Sequence, residues 1–282
     1  MIPSPLSSVT LDGRDFLIKR DDLIDPYLAG NKYRKLYTLI KTPKERYRKL
    51  ISYGGTQSNA MLALAALCKE KEWSFQYFTK PLSERQKGEA SGNYALARSL
   101  GMEHYEIPHE YYKERVASLR FNLDESTIVV DQGGAAHLAK EGLEQLACEI
   151  KEINSDIRSV ATPSGTGTTA LYLALALPEY RVYTTPSVGD ALYLKEQMRV
   201  LEMIPKNLII LEPEKKYPFG KPNREFYEIY QKLLACEIEF DLLYAPLMWK
   251  MLLEQTSEPI LYIHSGGVSG NASMLERYKA LI

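Results

Sequence analysis

Cysteine and histidine are scarce in this 282-residue sequence. Its three cysteines, Cys68, Cys148 and Cys236, lie far apart, and none belongs to a CxxC pair. An odd, scattered set of thiols is typical of a reduced intracellular protein rather than of a disulfide-stabilised secreted one. The four histidines lack the spacing of metal ligands, so we expect no metal site.

The sequence also lacks long apolar runs and a surplus of charge of one sign. No uninterrupted apolar stretch reaches the roughly 20 residues of a membrane span, and the first residues lack the apolar segment of a secretory signal. There are 35 Lys and Arg residues against 36 Asp and Glu residues, for a formal net charge of -1. This balance provides no electrostatic basis for binding nucleic acid or a membrane surface. We therefore predict a cytoplasmic protein that binds neither.

Short apolar runs alternate with helical segments along the chain. Residues 50–55 (LISYGG) and 259–267 (PILYIHSGG) indicate buried strands that end at glycines. Residues 59–71 (NAMLALAALCKEK) indicate a helix rich in alanine and leucine that closes with lysines. Strand followed by helix, repeated, predicts mostly parallel sheets with helices on both faces. At about 150 residues per domain, the length predicts about two domains.

Four loops that follow predicted strands are rich in Gly, Ser, Thr and Asn. They are GGTQSN (54–59), DQGGAA (131–136), PSGTGTT (163–169) and HSGGVSGN (264–271). Ligands of parallel sheets lie beyond the carboxyl ends of the strands, and glycines allow the backbone to approach a bound molecule closely. Together the loops predict a small-molecule site.

Loop 163–169 is the clearest ligand-binding candidate. It precedes an apolar helix, so free backbone amides and the helix dipole favour an anion there. Its hydroxyl donors are Ser164, Thr166, Thr168 and Thr169. No lysine follows the second glycine, so this is not a Walker A loop, and the absence of GxGxxG gives little support for NAD. We predict that the loop binds a phosphate; the alternative is a well-capped helix start.

Two further candidates have ordinary explanations when taken singly. Lys32 and Lys35, in LAGNKYRKLYTLI (28–40), are three residues apart and share a helix face. A partly desolvated lysine beside another cation can lose its proton near neutral pH, as Schiff-base chemistry needs, whereas the alternative is a solvated basic face. Ser58 and Asn59 begin a predicted helix, where they could cap its N-terminus or hold a substrate carboxylate.

In their order along the chain, these motifs resemble one known family. RDDL, GNKYRKL, YGGTQSN, GNYALARSLG, DQGG, PSGTGTT and YIHSGG follow one another between Arg20 and Gly267. The same series occurs in 1-aminocyclopropane-1-carboxylate (ACC) deaminases and D-cysteine desulfhydrases. These enzymes use pyridoxal 5′-phosphate (PLP) and share the tryptophan-synthase-β-like fold, called fold type II.

The resemblance implies an architecture and partners. We expect an α/β protein with two open, twisted, mostly parallel sheets and flanking helices. A small domain at 46–136 would be inserted in a large PLP-binding domain made of 1–45 and 137–282. A small amino-acid substrate and a homodimer are also implied.

The resemblance assigns roles to individual residues. Lys32 would form the Schiff base with PLP, Lys35 would lie near the cofactor phosphate, and Asn59 would hydrogen-bond the PLP 3′ oxygen. The phosphate would be held by Ser164, Gly165, Thr166, Gly167, Thr168 and Thr169. Gln57, Ser58, Asn59 and Tyr244 would meet the substrate, and Ser58 and Tyr244 would join Lys32 in catalysis.

One position departs from the family pattern. The residue after the tyrosine faces the pyridine nitrogen and is glutamate in the deaminases and commonly threonine in the desulfhydrases, but here it is Ala245, followed by Pro246. A methyl group cannot hydrogen-bond that nitrogen. By chain position Ser265 resembles the serine that meets the nitrogen in tryptophan synthase β. We predict that Ser265 donates to an unprotonated nitrogen; alternatively it caps a turn and water fills the space beside Ala245.

The resemblance implies an amino-acid lyase that eliminates a β-substituent and deaminates the substrate to a 2-oxo acid and ammonia. Lys32 would take the α-proton as general base. D-Cysteine is the leading substrate, because thiolate leaves easily and demands least of the electron sink. ACC deaminase is the alternative, although Ala245 argues against it. An alternative of another class is a PLP-fold binding protein with little turnover.

Overall fold

A computed structural model describes residues 2–28, 30–88, 92–134 and 137–279. The two alanines of the DQGGAA loop, the expected domain boundary at 136 and the alanine of LAGNKYRKL lie outside the described residues.

The described residues form ten β-strands and eleven α-helices. The strands are β1 (Leu6–Leu11), β2 (Arg14–Lys19), β3 (Lys49–Tyr53), β4 (Ser74–Thr79), β5 (Met102–Glu106), β6 (Thr127–Val130), β7 (Ser159–Ala161), β8 (Arg181–Thr184), β9 (Leu208–Ile210) and β10 (Ile260–Ile263). The helices are α1 (Asn31–Lys41), α2 (Asn59–Lys71), α3 (Glu84–Lys87), α4 (Asn93–Ser99), α5 (Tyr112–Ser118), α6 (Ala139–Lys151), α7 (Thr168–Ala176), α8 (Ala191–Arg199), α9 (Arg224–Leu234), α10 (Ala245–Gln255) and α11 (Asn271–Tyr278).

These strands make two sheets. The larger has the order β1-β2-β10-β7-β8-β9, and the smaller has the order β5-β4-β3-β6. Every strand pair is parallel except β1 with β2, which run antiparallel. The predicted fold class, two mostly parallel sheets with flanking helices, is confirmed. All strands of the smaller sheet lie within residues 49–130, which supports the proposed inserted domain.

Apolar side chains cover both faces of the larger sheet and one side of the smaller sheet. On one face of the larger sheet, Trp249 of α10 stacks on Tyr262 of β10 with ring centroids 4.4 Å apart. On the other face, α6 and α7 bury Leu146 and Leu171 completely. Helices on both faces are what a parallel sheet requires, since each face must be shielded from water.

A buried ionic network fixes helix α1. The Arg34 side chain is fully buried and forms two hydrogen bonds with Asp21, at 2.9 and 2.8 Å. It forms two more with Glu149 of α6, at 2.6 and 2.9 Å, and the Lys19 ammonium lies 2.7 Å from Glu149. Two positive and two negative side chains satisfy one another, which offsets the cost of burying charge. The network ties α1 to β2 and α6.

No helix among the described residues is long and apolar enough to cross a membrane.

Candidate active site

The start of α1 lies against the loop that follows β10. Gly30 has a φ of 61°, and a β-carbon on it would lie 1.9 Å from the Ser265 carbonyl oxygen. The Asn31 N–H donates a hydrogen bond to the same oxygen, at 3.2 Å. Only glycine permits this approach. The contact brings the segment that contains Lys32 against one of the predicted ligand loops, 264–271, at the carboxyl edge of the sheet.

A cavity of about 180 Å³ lies at this junction. Its walls come from the segment before α1 and from helices α1 and α2, together with the loop after β10. The lining residues are Pro26, Tyr27, Lys32, Asn59, Leu62, Ser265, Gly267, Val268 and Ser269. Three residues predicted from separate motifs, Lys32, Asn59 and Ser265, therefore share one cavity.

Lys32 has the electrostatic environment of a reactive amine. Burial disfavours its charged form and lowers its pKa to about 8, although the nearby Asp241 carboxylate partly opposes this. The Lys32 ammonium donates a hydrogen bond to Asn31 Oδ1, at 2.9 Å. The sequence KYRK is not a solvated basic face, because Arg34 and Lys35 are buried.

Asp241, whose carboxylate lies near Lys32, belongs to no motif that is recognisable in the sequence. It is buried, and its Oδ1 accepts hydrogen bonds from the Leu243 and Tyr244 N–H groups, at 3.0 and 2.6 Å. Burial raises the pKa of this carboxyl to about 6. An aspartate that bonds the backbone two and three residues onward is a common turn device, and that was the only signal available in the sequence.

Lys35 faces the DQGG loop instead of the cavity. Its ammonium donates to the Gly133 carbonyl at 3.5 Å, and a β-carbon on Gly134 would lie 3.8 Å from its side chain. A β-carbon on Gly133 would lie 3.9 Å from Thr166 Cγ2. Burial, together with the positive charge of Lys32, holds the pKa of Lys35 well below its usual value. The DQGG loop thus lies between Lys35 and the loop 163–169.

Loop 163–169 has the features of a phosphate cradle. Gly167, with a φ of 80°, precedes α7, so the free amides at the helix start face the loop. The loop runs beside a second turn, because the Ser164 N–H donates to the Thr185 carbonyl and the Ser187 N–H donates to the Ser164 carbonyl. Thr185 and Ser187 were not predicted, although TTPSVGD also follows a strand and is rich in hydroxyls.

Several buried hydroxyls around this loop indicate whether the PLP phosphate fits there. The side-chain oxygens of Thr169, Thr185 and Ser187 are buried with no hydrogen-bond partner among the described residues. Buried polar groups are usually paired, so these orphaned donors favour an anionic ligand such as the PLP phosphate. The other loop hydroxyls have partners: Thr166 and Thr168 bond each other at 3.1 Å, and Ser164 accepts a hydrogen bond from the Thr184 hydroxyl of β8 at 2.7 Å. This set of donors, with Lys32 as the amine, fits the cofactor.

The predicted substrate residues are only partly gathered. Ser58 caps α2, where its Oγ accepts the Met61 N–H at 3.3 Å, so the capping alternative is present in the structure. Among the described residues, the cavity lining includes Asn59 but not Gln57, Ser58 or Tyr244. Tyr244 instead stands over the phosphate loop, because a β-carbon on Gly165 would lie 3.4 Å from its ring. The roles of these residues stay predictions.

Ala245, the position that departs from the family pattern, lies at the start of α10. Ala245 is buried at the first position of α10, and Pro246 follows where the first helical turn needs no N–H donor. Ser265 lines the cavity, and its backbone carbonyl is occupied by Asn31. Its hydroxyl as a partner of the pyridine nitrogen stays a prediction.

Comparison with known proteins finds relatives in sequence and in fold. D-Cysteine desulfhydrase of Serratia proteamaculans is 27% identical over 90% of this chain and 87% of its own length. The crystal structure of an ACC deaminase homologue matches 97% of this chain and 93% of its own with a TM-score of 0.71 and 23% identity. A fungal L-serine ammonia-lyase from Rhizomucor miehei matches 100% of this chain and 99% of its own with a TM-score of 0.64 and 12% identity. The two structures show the fold.

A match to a family model establishes the family of this chain. The family model described as pyridoxal-phosphate dependent enzyme matches residues 1–189 of the 282 in the chain. This match confirms the predicted PLP dependence and includes the start of α1, the start of α2 and the phosphate loop. The chain therefore belongs to the family of pyridoxal-phosphate dependent enzymes.

Proposed function

We propose that this PLP-dependent enzyme is an amino-acid lyase that removes a β-substituent and deaminates its substrate. D-Cysteine is the proposed substrate, giving a 2-oxo acid, ammonia and sulfide. The observation that carries the proposal is the position of Lys32, whose amine has a pKa of about 8 and shares a cavity with Asn59 and Ser265. Relatives that bear the names ACC deaminase homologue and D-cysteine desulfhydrase support the reaction class.

The protein residues divide the work of binding and proton transfer. PLP, when bound, supplies the electron withdrawal that labilises bonds at the substrate α-carbon. Lys32 would hold the cofactor and then accept the α-proton, which its lowered pKa permits near neutral pH. The amides at the start of α7 and the hydroxyls of Thr169, Thr185 and Ser187 would hold the phosphate.

Ala245 favours one of the two lyase activities over the other. Opening the strained ring of ACC breaks a carbon–carbon bond, which depends more strongly on a protonated pyridine nitrogen than thiolate departure does. Ala245 supplies no carboxylate to stabilise the protonated form of that nitrogen, so D-cysteine is favoured. ACC deaminase is the second candidate, because the buried Asp241 carboxylate lies near Lys32 and could serve instead.

A substrate panel tests the proposal. The PLP-loaded protein is assayed for ammonia and sulfide release from D- and L-amino acids and from ACC, with Lys32→Ala as the control. Sulfide and ammonia from D-cysteine support the proposal. Turnover of ACC alone establishes the second candidate, and bound PLP without any turnover indicates a binding protein.

The remaining proposals concern the protein as a whole. We propose that it acts in the cytoplasm on a small amino acid. We also propose that it binds neither nucleic acid nor a membrane, because a formal net charge of -1 gives no electrostatic basis for either. The inserted domain at 46–136 and the homodimer follow from the family resemblance. Light scattering on the purified protein measures the oligomeric state directly.

A further inference from the structure

The side-chain amide of Asn93, at the start of α4, connects three groups beside the cavity. Asn93 is completely buried, and its Nδ2 donates to the Gln57 backbone carbonyl at 3.1 Å and to Asn59 Oδ1 at 2.8 Å. Its Oδ1 accepts a hydrogen bond from the Ser269 hydroxyl at 2.9 Å. Both Asn59 and Ser269 line the cavity, whereas Asn93 does not reach it.

These contacts fix the orientation of two amides. A backbone carbonyl can only accept, so the atom of Asn93 that faces Gln57 must be the NH₂ group. The second N–H of that group points to Asn59, which must therefore present its oxygen. The NH₂ group of Asn59 is consequently turned away from Asn93.

The NH₂ group of Asn59 lies beside Gly267, a residue of the cavity wall. A β-carbon on Gly267 would lie only 2.8 Å from Asn59 Nδ2, so this nitrogen packs against the Gly267 backbone. Gly267 and Lys32 line the same cavity as Asn59. The cavity therefore receives a hydrogen-bond donor from Asn59 and not an acceptor.

We propose that Asn93 is a positioning residue that keeps the Asn59 NH₂ group directed at the ring oxygen of the cofactor. The inference rests on the proposed function, in which PLP is joined to Lys32 in this cavity. A donor at the ring oxygen favours the anionic form of that oxygen. It therefore lowers the pKa of the lysine-bound cofactor. Without Asn93, the Asn59 amide is free to rotate and present its carbonyl oxygen, which would repel the ring oxygen.

The test is a pH titration of the visible absorbance of the PLP-loaded protein. Asn93→Leu, which removes the amide at similar size, should raise the pKa of the lysine-bound cofactor by about one pH unit, a tenfold change in proton binding. Asn207→Leu is the matched control: it makes the same substitution at an asparagine whose Nδ2 donates to the Ala174, Leu177 and Tyr180 carbonyls and which does not line the cavity. Its titration should match that of the unmodified protein.

A double-mutant cycle separates positioning from a general structural effect. Asn59→Ala should raise the pKa of the bound cofactor, and Asn93→Leu should add no further shift in that background. An equal shift by Asn93→Leu with and without Asn59 overturns the inference, and so does the absence of any shift. If Asn93→Leu does not fold, as judged by thermal unfolding of the cofactor-free protein, Asn93→Ser replaces it with the same expectation.

The outcomes distinguish this inference from the proposed function. Absence of visible absorbance in the unmodified, PLP-treated protein would contradict the proposed function itself. Normal absorbance with a shift for Asn59→Ala but none for Asn93→Leu would contradict only the role of Asn93.

Discussion

Gly30 and Ser265 approach so closely that a β-carbon on Gly30 would lie 1.9 Å from the Ser265 carbonyl oxygen. This contact sets the start of α1 against the loop after β10, and the cavity that contains Lys32 lies where they meet. The position of the candidate reactive lysine therefore depends on a glycine that has no chemistry of its own.

Gly30→Ala should prevent stable PLP binding. The substitution must move either the start of α1 or the Ser265 backbone, and it also forces alanine to a φ of 61°. Gly13→Ala is the matched control, because Gly13 has a φ of 76° but a β-carbon there meets no described atom within 4 Å. Visible absorbance after PLP addition should be lost in the first variant and kept in the second. Retention in both would show that the contact does not shape the site.

Ser58→Ala should reduce turnover of the true substrate by at least ~10-fold, the scale of one transition-state hydrogen bond worth ~1.4 kcal/mol. Because Ser58 also caps α2, its loss should lower stability by ~1 kcal/mol as well. Ser58→Asn separates the two effects, since asparagine retains a capping acceptor but has no hydroxyl. Unchanged kinetics in both variants would leave Ser58 with the capping role alone.

Asp241→Asn should lower the pKa of Lys32 below about 8 in the cofactor-free protein. The carboxylate favours the ammonium form of Lys32 and so opposes the effect of burial; its removal leaves burial unopposed. Asparagine can still accept the N–H groups of Leu243 and Tyr244, so the turn should persist. The pH dependence of amine labelling at Lys32 measures the shift, and an unchanged or higher pKa would contradict this electrostatic account.

The Ser265 hydroxyl should lie within ~3.5 Å of the pyridine nitrogen in a crystal structure with PLP bound. The structure already places Ser265 at the cavity, and Ala245 offers the ring no partner. A larger distance would remove Ser265 from the account. The Asp241 carboxylate at that nitrogen would overturn the prediction of a neutral ring and favour the deaminase activity.

The sequence was sufficient to predict the local elements of this fold. Helix α2 spans Asn59–Lys71, the predicted range, because alanine and leucine favour helix and Ser58 supplies a cap. The glycine-rich loops were recognisable because parallel sheets place ligands beyond their strand ends. These features depend on short stretches of chain and so are visible in the sequence.

The contacts that shape the site were not predictable in the same way. Asn93 meets Asn59 across 34 residues of chain, and Gly30 meets Ser265 across a still longer separation. Asp241 acts on Lys32 only because the end of the α9–α10 connection lies beside α1. Such relationships depend on how distant segments pack, and a single sequence contains no local pattern that encodes them.

Borohydride reduction of the PLP-treated protein, followed by peptide mass spectrometry, tests the central claim most directly. Reduction makes the bond between the cofactor and its lysine permanent, so the labelled peptide identifies that lysine. The account predicts label on Lys32, and Lys32→Ala should lose both the label and turnover while remaining folded. Label on Lys35, on any other lysine, or on none would contradict the account.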